Sequence, residues 1–582
     1  MGHPSAIPVA IVGMAARVPG AEDSRGYWDL LNSGQTMIAP VPDGRLRGFS
    51  PDMAGVDVPW AALWADTDDF DPSVFGISPR LAAWIDPQQR LLLEASWHAL
   101  ESAGIPPSSL GGSDTAVYVS TTASDWRQVM ADEGLVDRYS ALGLLLTYLS
   151  SRISYQYDLR GPSLTIDTAC SGGLTAVALA VSGLRSGDYR TAIAASANLY
   201  LHGFMHAVMM RFGALSPTGQ ARSFDDAANG YVRGEGVFCF VLKRLSDALS
   251  DGDPVLAVIR GCSLNHDGRA GGMTLTDPAS LARLMQTALA QAGVDVADLG
   301  YVEAHAAGTP LGDAQEVHGL LHALRDRPGG MPNQGSGPEQ RLWVGSVKSS
   351  IGHLEGSAGA ASLAKAVHVL RHRSIPPTPG FADLNHRIDL AGTPVAIAQE
   401  AVPWPDGSHG PRLVGVNSFG VGGANAHVVL EEPPRQPHTE TGHGDQAMPV
   451  PLSAATDAAL MQLAGALAAV SAEGPSFDAV TWTLQTGRES MRSRQIVVAQ
   501  DIDELREALT ALAEGTADSD ALAAQTARLS AEGARLASVW LAGDEVDWSA
   551  LWQHRIPPRR VELASYPFQR RRFPFPPAAR ER

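Results

Sequence analysis

The chain has 582 residues, too many for one ordinary hydrophobic core, so two or more domains are expected. Hydrophobic residues make up 45% and charged residues 18%, the balance of a globular protein and not of a disordered one. The net charge of −18 argues against broad binding to nucleic acid or to an anionic membrane, while leaving room for a local basic docking patch.

Cys170, Cys239 and Cys262 are too widely spaced for a disulfide framework or a zinc site, so no metal is expected and a reducing compartment is. No charged leader followed by an apolar segment opens the sequence, and the most apolar stretch, 141–149, is far short of a membrane span. The expectation is a cytoplasmic protein that binds no membrane.

In chain order, residues 7–13 read as a buried first strand ending in a glycine turn. Asp86 before Pro87 suits an N-cap followed by proline at the first helical position, and the helix runs to about Gly104, with Leu91, Leu92, Ala95, Trp97, Ala99 and Leu100 on its apolar side. The turn pair Gly161-Pro162 feeds 163–166, which read as a short buried strand. After the run Asp167-Thr168-Ala169-Cys170-Ser171-Gly172-Gly173-Leu174, apolar residues recur at helical spacing (Leu174, Val177, Ala178, Val181, Leu184), and Gly187 stands where a C-cap would. Cys170 therefore falls at a strand-to-helix turn near a helix N-terminus, where free N–H groups and the macrodipole favour a thiolate. Gly172 and Gly173 remove side chains that would crowd a substrate. This is the local chemistry of a nucleophilic cysteine, although a lone cysteine is also a common small core residue.

The stretch 254–261 resembles 7–13 loosely, an apolar run, a glycine, then a loop, and so permits a duplicated α/β architecture. Of the 17 histidines, two stand among small residues that leave room for a ligand. His305 follows a short apolar strand, 299–302, and precedes Ala306-Ala307-Gly308-Thr309. His353 lies in Lys348-Ser349-Ser350-Ile351-Gly352-His353, five positions after a lysine. The glycine loop 417–427 lacks a following Lys-Ser/Thr, so backbone oxyanion donation suits it better than phosphate binding. A thiolate can hold an acyl group as a thioester, and neutral imidazole N–H groups can stabilise an enolate. Whether such a set hydrolyses or condenses is left open by these residues.

Beyond Val428-Val429-Leu430 the composition changes. Residues 433–449 read as a linker, and 450–556 as a smaller region with helices at 455–470 and 502–514 and a strand at 495–499. The tail carries Tyr566-Pro567-Phe568-Gln569-Arg570-Arg571-Arg572-Phe573-Pro574, which suits an extended segment lying on another surface, or equally a solvated basic tail.

With Cys170, His305 and His353 assembled, the chain strongly resembles the ketosynthases (β-ketoacyl synthases) of modular polyketide synthases. The resemblance rests on Phe75-Gly76-Ile77-Ser78-Pro79-Arg80, Asp86-Pro87-Gln88-Gln89-Arg90, Gly161-Pro162-Ser163, Asp167-Thr168-Ala169-Cys170-Ser171, Gly230-Tyr231-Val232-Arg233-Gly234-Glu235-Gly236, Glu303-Ala304-His305, Lys348 to His353 and Asn425-Ala426-His427. It implies a thiolase-type αβαβα fold of two similar halves over residues 1–432, a small α/β adaptor over 450–556, and an extended tail, 557–582, packing back on the ketosynthase. It implies Cys170 as acyl acceptor, His305 and His353 as the decarboxylation pair, and Lys348 as support for the second histidine. The Cys170 N–H and a partner near Phe419–Gly420 would form the oxyanion hole, with Phe419 the aromatic gate. Thr309, Gly172, Gly173 and Asn425 would meet substrate or pantetheine. The implied partners are a second copy and acyl carrier proteins whose phosphopantetheine carries the substrates, with no cofactor bound by the chain itself.

The family's His-Gly-Thr-Gly-Thr reads His305-Ala306-Ala307-Gly308-Thr309 here. One pantetheine-contacting threonine is absent, a loss of about 0.5–1.5 kcal/mol of binding. Gly172-Gly173 replaces commoner serines, which would widen the pocket, and Ile85 stands in place of a methionine. Adaptor and tail resemble those that flank an acyltransferase, yet no Gly-x-Ser-x-Gly lies between them, as in synthases whose acyltransferase acts in trans. Elongation is favoured by intact His305, His353 and Lys348. The alternative is a non-elongating ketosynthase that only passes the acyl chain on, to which Ala306-Ala307 gives some weight. A silent scaffold is disfavoured by Cys170, and a coenzyme A thiolase by the adaptor and tail.

Overall fold

The chain winds the same unit twice. The computed structural model describes residues 6–574, apart from 57, 123, 270, 271, 273, 328, 332–340, 405–409, 435–445, 470–473, 517–526, 554 and 555. Most of the expected linker 433–449 and the end of the tail, 575–582, therefore lie outside the described residues. The first unit comprises β1 (Val9–Arg17), α1 (Pro87–Ser102), β2 (Ala116–Ser120), α2 (Tyr148–Gln156), β3 (Ser163–Ile166), α3 (Gly172–Ser186), β4 (Thr191–Asn198) and β5 (Gly236–Arg244). The second comprises β6 (Ala257–His266), α4 (Pro278–Ala292), β7 (Tyr301–Glu303), α5 (Pro310–Arg325), β8 (Leu342–Gly345), α6 (Ala358–His372), β9 (Val395–Ile397), β10 (Leu413–Phe419) and β11 (Ala424–Glu431).

These strands make one sheet in the order β9-β8-β7-β10-β11-β6-β1-β5-β4-β2-β3. Outward from the central antiparallel pair β1–β6, both units repeat one pattern. The pairs β1–β5 and β5–β4 are antiparallel, while β4–β2 and β2–β3 are parallel. Likewise β6–β11 and β11–β10 are antiparallel, and β10–β7 and β7–β8 parallel. Helices α3 and α6 pack on each other between the two halves of the sheet, with α1 and α2 outside one half and α4 and α5 outside the other. The result is five layers, αβαβα, the thiolase-type arrangement that the resemblance implies.

The glycine shared by 7–13 and 254–261 has a different job from the turn expected of it. Strand β1 passes through Gly13 with a bulge and continues to Arg17; β6 passes through Gly261 with a bulge and continues to His266. A Cβ at Gly13 would lie 2.1 Å from the Ala99 carbonyl oxygen of α1, and one at Gly261 would lie 2.0 Å from the Ala288 carbonyl oxygen of α4. Both glycines let an outer helix sit down on its strand.

Local signals place the helices. Asp86 accepts the Gln88 N–H ahead of Pro87, and Asp277 accepts from Ala279 and Ser280 ahead of Pro278. Gly187 ends α3 in the left-handed conformation, φ 83°. Helix α1 is buried on its polar side too, including Gln88, Arg90 and Glu94. Strand β3 forms as expected but is not buried: it is the last strand of the sheet, and Leu164 is half exposed.

After the second unit, β12 (Met448–Ala454) pairs antiparallel with β13 (Ser493–Ala499) beside α7 (Asp457–Ala468), α8 (Phe477–Thr486), α9 (Ile502–Ala513) and α10 (Ala531–Leu541). The sequence pattern omits α8, α10 and β12, and β12 begins inside the expected linker. Pro449 and Pro451 are tolerated because β12 has one neighbour only, so both can face away from the ladder. The tail runs extended across both parts. Arg571–Arg572 pairs with Asp69–Phe70, Arg570 bonds Glu94 and Glu22, and Phe568 stacks on His98. Among the described residues no helix is long and apolar enough to cross a membrane.

Candidate active site

Cys170 sits two residues before α3, behind Ala169, whose backbone is left-handed at φ 51°. That bend is secured by the Asp167 carboxylate, which accepts the Ala169 N–H at 2.9 Å, and by Ser418, whose hydroxyl donates to the Cys170 carbonyl at 2.7 Å. The placement at a helix start agrees with the sequence reading; the thiolate it suggested does not. Burial pushes the thiol up to about 12, and Glu355 adds to the rise, against Lys348 and the N–H groups of Val421 and Cys170 itself. The resting group is a protonated thiol.

His305 and His353 both come from the second unit, His305 two residues past the end of β7 and His353 just after the short helix Lys348–Ile351 that follows β8. Their rings stand 5.3 Å apart at 83°, with Phe419 5.5 Å from His305. The Phe419 N–H donates to His305 Nδ1 at 3.2 Å, and the Glu355 N–H donates to His353 Nδ1 at 3.1 Å. With Nδ1 an acceptor in both, the ring proton of the neutral imidazole resides on Nε2. Burial holds both histidines well below the usual imidazole range, and the nearby Lys348 charge adds to this. Both are therefore neutral donors.

Lys348 is buried, and its Nζ has no hydrogen-bond partner among the described residues. Burial lowers its pKa, while the carboxylates Glu303 and Glu316 support the charge. The loop after β7 is pinned by Glu316, whose Oε1 accepts the His305 N–H at 2.8 Å and Asn417 Nδ2 at 2.9 Å while Oε2 accepts the Ala306 N–H at 2.8 Å. Cys170, His305, His353, Thr309 and Phe419 line one cavity of about 300 Å³.

Four expected contributions are placed differently. The Phe419 N–H is taken by His305 and the Gly420 N–H by the Ala424 carbonyl at 2.7 Å, so the loop N–H facing the sulfur is that of Val421. Gly172 and Gly173 do not open the cavity. A Cβ at Gly172 would meet Ser120 Oγ at 2.1 Å, and one at Gly173 the Ala360 nitrogen at 2.6 Å, so both serve close packing around α3. Asn425 is buried off the cavity and donates to Asp267 at 2.8 Å; Asp267 is the residue that lines it.

The family model for the β-ketoacyl synthase N-terminal domain matches residues 6–248, that for the C-terminal domain 256–382, and that for the ketoacyl-synthetase C-terminal extension 385–498. The ketosynthase from module 6 of the bacillaene synthase of Bacillus subtilis 168 superposes with a TM-score of 0.84 at 30% identity, covering 97% of this chain and 99% of that one. The chain belongs to the β-ketoacyl synthase family. The oxazolomycin ketosynthase domain OzmH KS7 of Streptomyces albus JA3453 superposes with a TM-score of 0.84 at 34% identity over 98% of each chain. Polyketide synthase ThaG of Burkholderia thailandensis is 40% identical over 87% of this chain, and PksM of Bacillus subtilis 33% over 97%. This chain spans 9% and 14% of those two proteins. It is a ketosynthase domain of the modular polyketide synthase type, an enzyme of the acyltransferase class.

The ketosynthase fold brings in residues to which the sequence reading gave no role. Tyr231 lies 5.0 Å from His353, ring to ring, and Asp313 lines the cavity with its carboxyl raised to about 7 by burial and by Glu316. Tyr231 falls inside a motif quoted above and Asp313 on α5 four residues past Thr309, but only the fold shows that these side chains turn inward.

Proposed function

We propose that this ketosynthase catalyses decarboxylative condensation. The Cys170 sulfur attacks an acyl thioester on one carrier protein; the carrier thiol leaves with the Cys170 proton, and the acyl group stays on sulfur. A malonyl-type thioester then enters on the phosphopantetheine arm of a second carrier protein, and no cofactor of the chain's own is needed. Its carboxylate C–C bond breaks, CO₂ departs, and the electron pair passes into an enolate whose oxygen takes hydrogen bonds from His305 Nε2 and His353 Nε2. The enolate carbon attacks the Cys170 thioester, the C–S bond breaks with its electron pair on sulfur, the thiolate takes up a proton from water to restore the thiol, and the β-ketoacyl chain leaves on the second carrier. N–H groups of Cys170 and Val421 would hold the tetrahedral oxyanion.

The observation that carries this reading is the matched pair of neutral histidines, each with Nδ1 spent on a backbone N–H. Transfer of an acyl chain alone needs the thiol but no second donor pair. The non-elongating alternative keeps one argument: Ala307 presents a methyl to the cavity where the family pattern has a threonine hydroxyl.

A second copy would meet this one at the free edge of β3, where Leu164 is half exposed; Tyr155 on α2 is exposed as well. A separate acyltransferase would load the extender, since no nucleophile elbow lies in 450–556. To test the reading, the protein is incubated with an acyl thioester and malonyl-loaded carrier protein while intact masses are followed. An adduct on Cys170, then CO₂ loss and a β-ketoacyl carrier protein, is expected. Acyl transfer with malonyl left intact would establish the non-elongating alternative.

A further inference from the structure

His305 and His353 share a tautomer but not the means of setting it. His305 takes its N–H from Phe419, a residue of strand β10 fixed by the sheet. His353 takes its N–H from Glu355, a non-glycine residue held in the left-handed region at φ 42°. A side chain resists that conformation, so something in the surroundings must hold it there.

The segment Tyr231–Gly234 does so. Its backbone brackets His353: the His353 N–H donates to the Val232 carbonyl and the Gly234 N–H to the His353 carbonyl, at 2.6 and 3.0 Å. Its side chains grip Glu355: Arg233 donates from Nε to Oε1 at 2.9 Å and from Nη2 to Oε2 at 3.0 Å, and the Tyr231 hydroxyl donates to Oε1 at 3.1 Å. Arg233 is itself buried, its guanidinium 3.6 Å over the Tyr200 ring. A two-pronged pair of this kind fixes orientation as well as distance. Acylation does not explain the carboxylate, because Glu355 works against ionisation of Cys170.

We propose that Arg233 and Glu355 are positioning residues: their ion pair holds the left-handed turn whose N–H fixes His353 as the Nε2–H tautomer. The proposal rests on the reading of His353 as a donor to the extender enolate. It makes one half-reaction depend on a pair that the other does not use.

The test uses full-length protein labelled with ¹⁵N-histidine, with the His353 resonances assigned by their loss in His353→Asn. In the wild type His353 should show an unprotonated Nδ1 and a protonated Nε2. In Glu355→Ala, and in Glu355→Gln, which still offers Tyr231 an acceptor and serves if the alanine variant does not fold, that signature should give way to mixed tautomers while His305 keeps its own. Decarboxylation of malonyl carrier protein by the acylated enzyme should fall about 10–100-fold, while acylation of Cys170 should not fall, since loss of the Glu355 charge removes a group that opposes the thiolate. A His353 signature unchanged in both variants, or acylation falling in parallel with decarboxylation, would overturn the proposal. Should the wild type decarboxylate nothing, the condensing reading fails, and the ¹⁵N signature still decides whether the pair sets the tautomer.

Discussion

Gly173 and Gly359 meet the same helix crossing from opposite sides. A Cβ on Gly173 would lie 2.6 Å from the Ala360 nitrogen, and one on Gly359 would lie 2.9 Å from Leu174 Cγ. Each half of the fold thus gives up a side chain so that α3 and α6 can touch just where Cys170 and His353 are displayed. Gly173→Ala should cost about 1–3 kcal/mol through overpacking against backbone. A lowered melting temperature checks it, and unchanged stability with an altered KM would restore Gly173 to the substrate pocket.

Cys170 should alkylate slowly at neutral pH. With the thiol pushed up to about 12, the reactive thiolate is a small fraction at pH 7 and grows about tenfold per unit, so the iodoacetamide rate should climb without a plateau below about pH 9. Lys348 is among the groups that oppose the rise, so Lys348→Met should slow alkylation further at every pH. The same substitution removes a positive charge that depresses both histidines, and their imidazole pKa values should move up. Alkylation rates and ¹⁵N-histidine titrations measure the two effects separately.

The parts of this site legible in the sequence are those whose signals are local. Gly161-Pro162, the strand 163–166, Cys170 and the cap at Gly187 punctuate one strand-turn-helix within a short span, and the structure places each there. Burial of β3 was not legible because being last in a sheet depends on strand order, not on residues 163–166 themselves. The role of Gly173 needed Ala360, which comes from the other half. The oxyanion donor needed knowledge that His305 consumes the Phe419 N–H. Gly13 and Gly261 show the same limit: the pattern marks both, but the carbonyl oxygens of Ala99 and Ala288 decide that they are bulges under helices and not turns.

Glu316→Gln should impair decarboxylation while sparing acylation. Both carboxylate oxygens accept, from the N–H groups of His305 and Ala306 and from Asn417, and an amide would present a donor to one of them. The loop carrying His305 would then relax by a fraction of an ångström or more. A loss of about 10–100-fold in malonyl decarboxylation is expected, read against an unchanged rate of Cys170 acyl-adduct formation. Parallel loss of both rates would mean that Glu316 supports the fold and not the histidine.

Tyr566 should be the residue through which the two parts of the chain unfold together. Its N–H donates to Glu101 at 2.7 Å, its carbonyl bonds the His98 ring at 2.9 Å, and its ring stands 6.2 Å from Trp97, all on α1 of the ketosynthase. Its hydroxyl accepts the N–H of Ala455, at the end of β12 in the C-terminal region. Truncation to alanine removes a buried aromatic and leaves Ala455 without that acceptor, a cost of about 3–5 kcal/mol. Since one side chain spans both parts, Tyr566→Ala should turn a single calorimetric transition into two. Acid should act in the same direction. Burial holds His98 near 4 in the folded state against about 6.5 unfolded, so the unfolded chain binds the proton first as pH falls. The stability that neutral His98 contributes is therefore present above about pH 6.5 and lost between there and pH 4. His98→Phe, which keeps the stacking surface for Phe568 and cannot be protonated, should flatten that part of the melting-temperature profile; a profile that keeps its slope would assign the acid sensitivity to other buried groups.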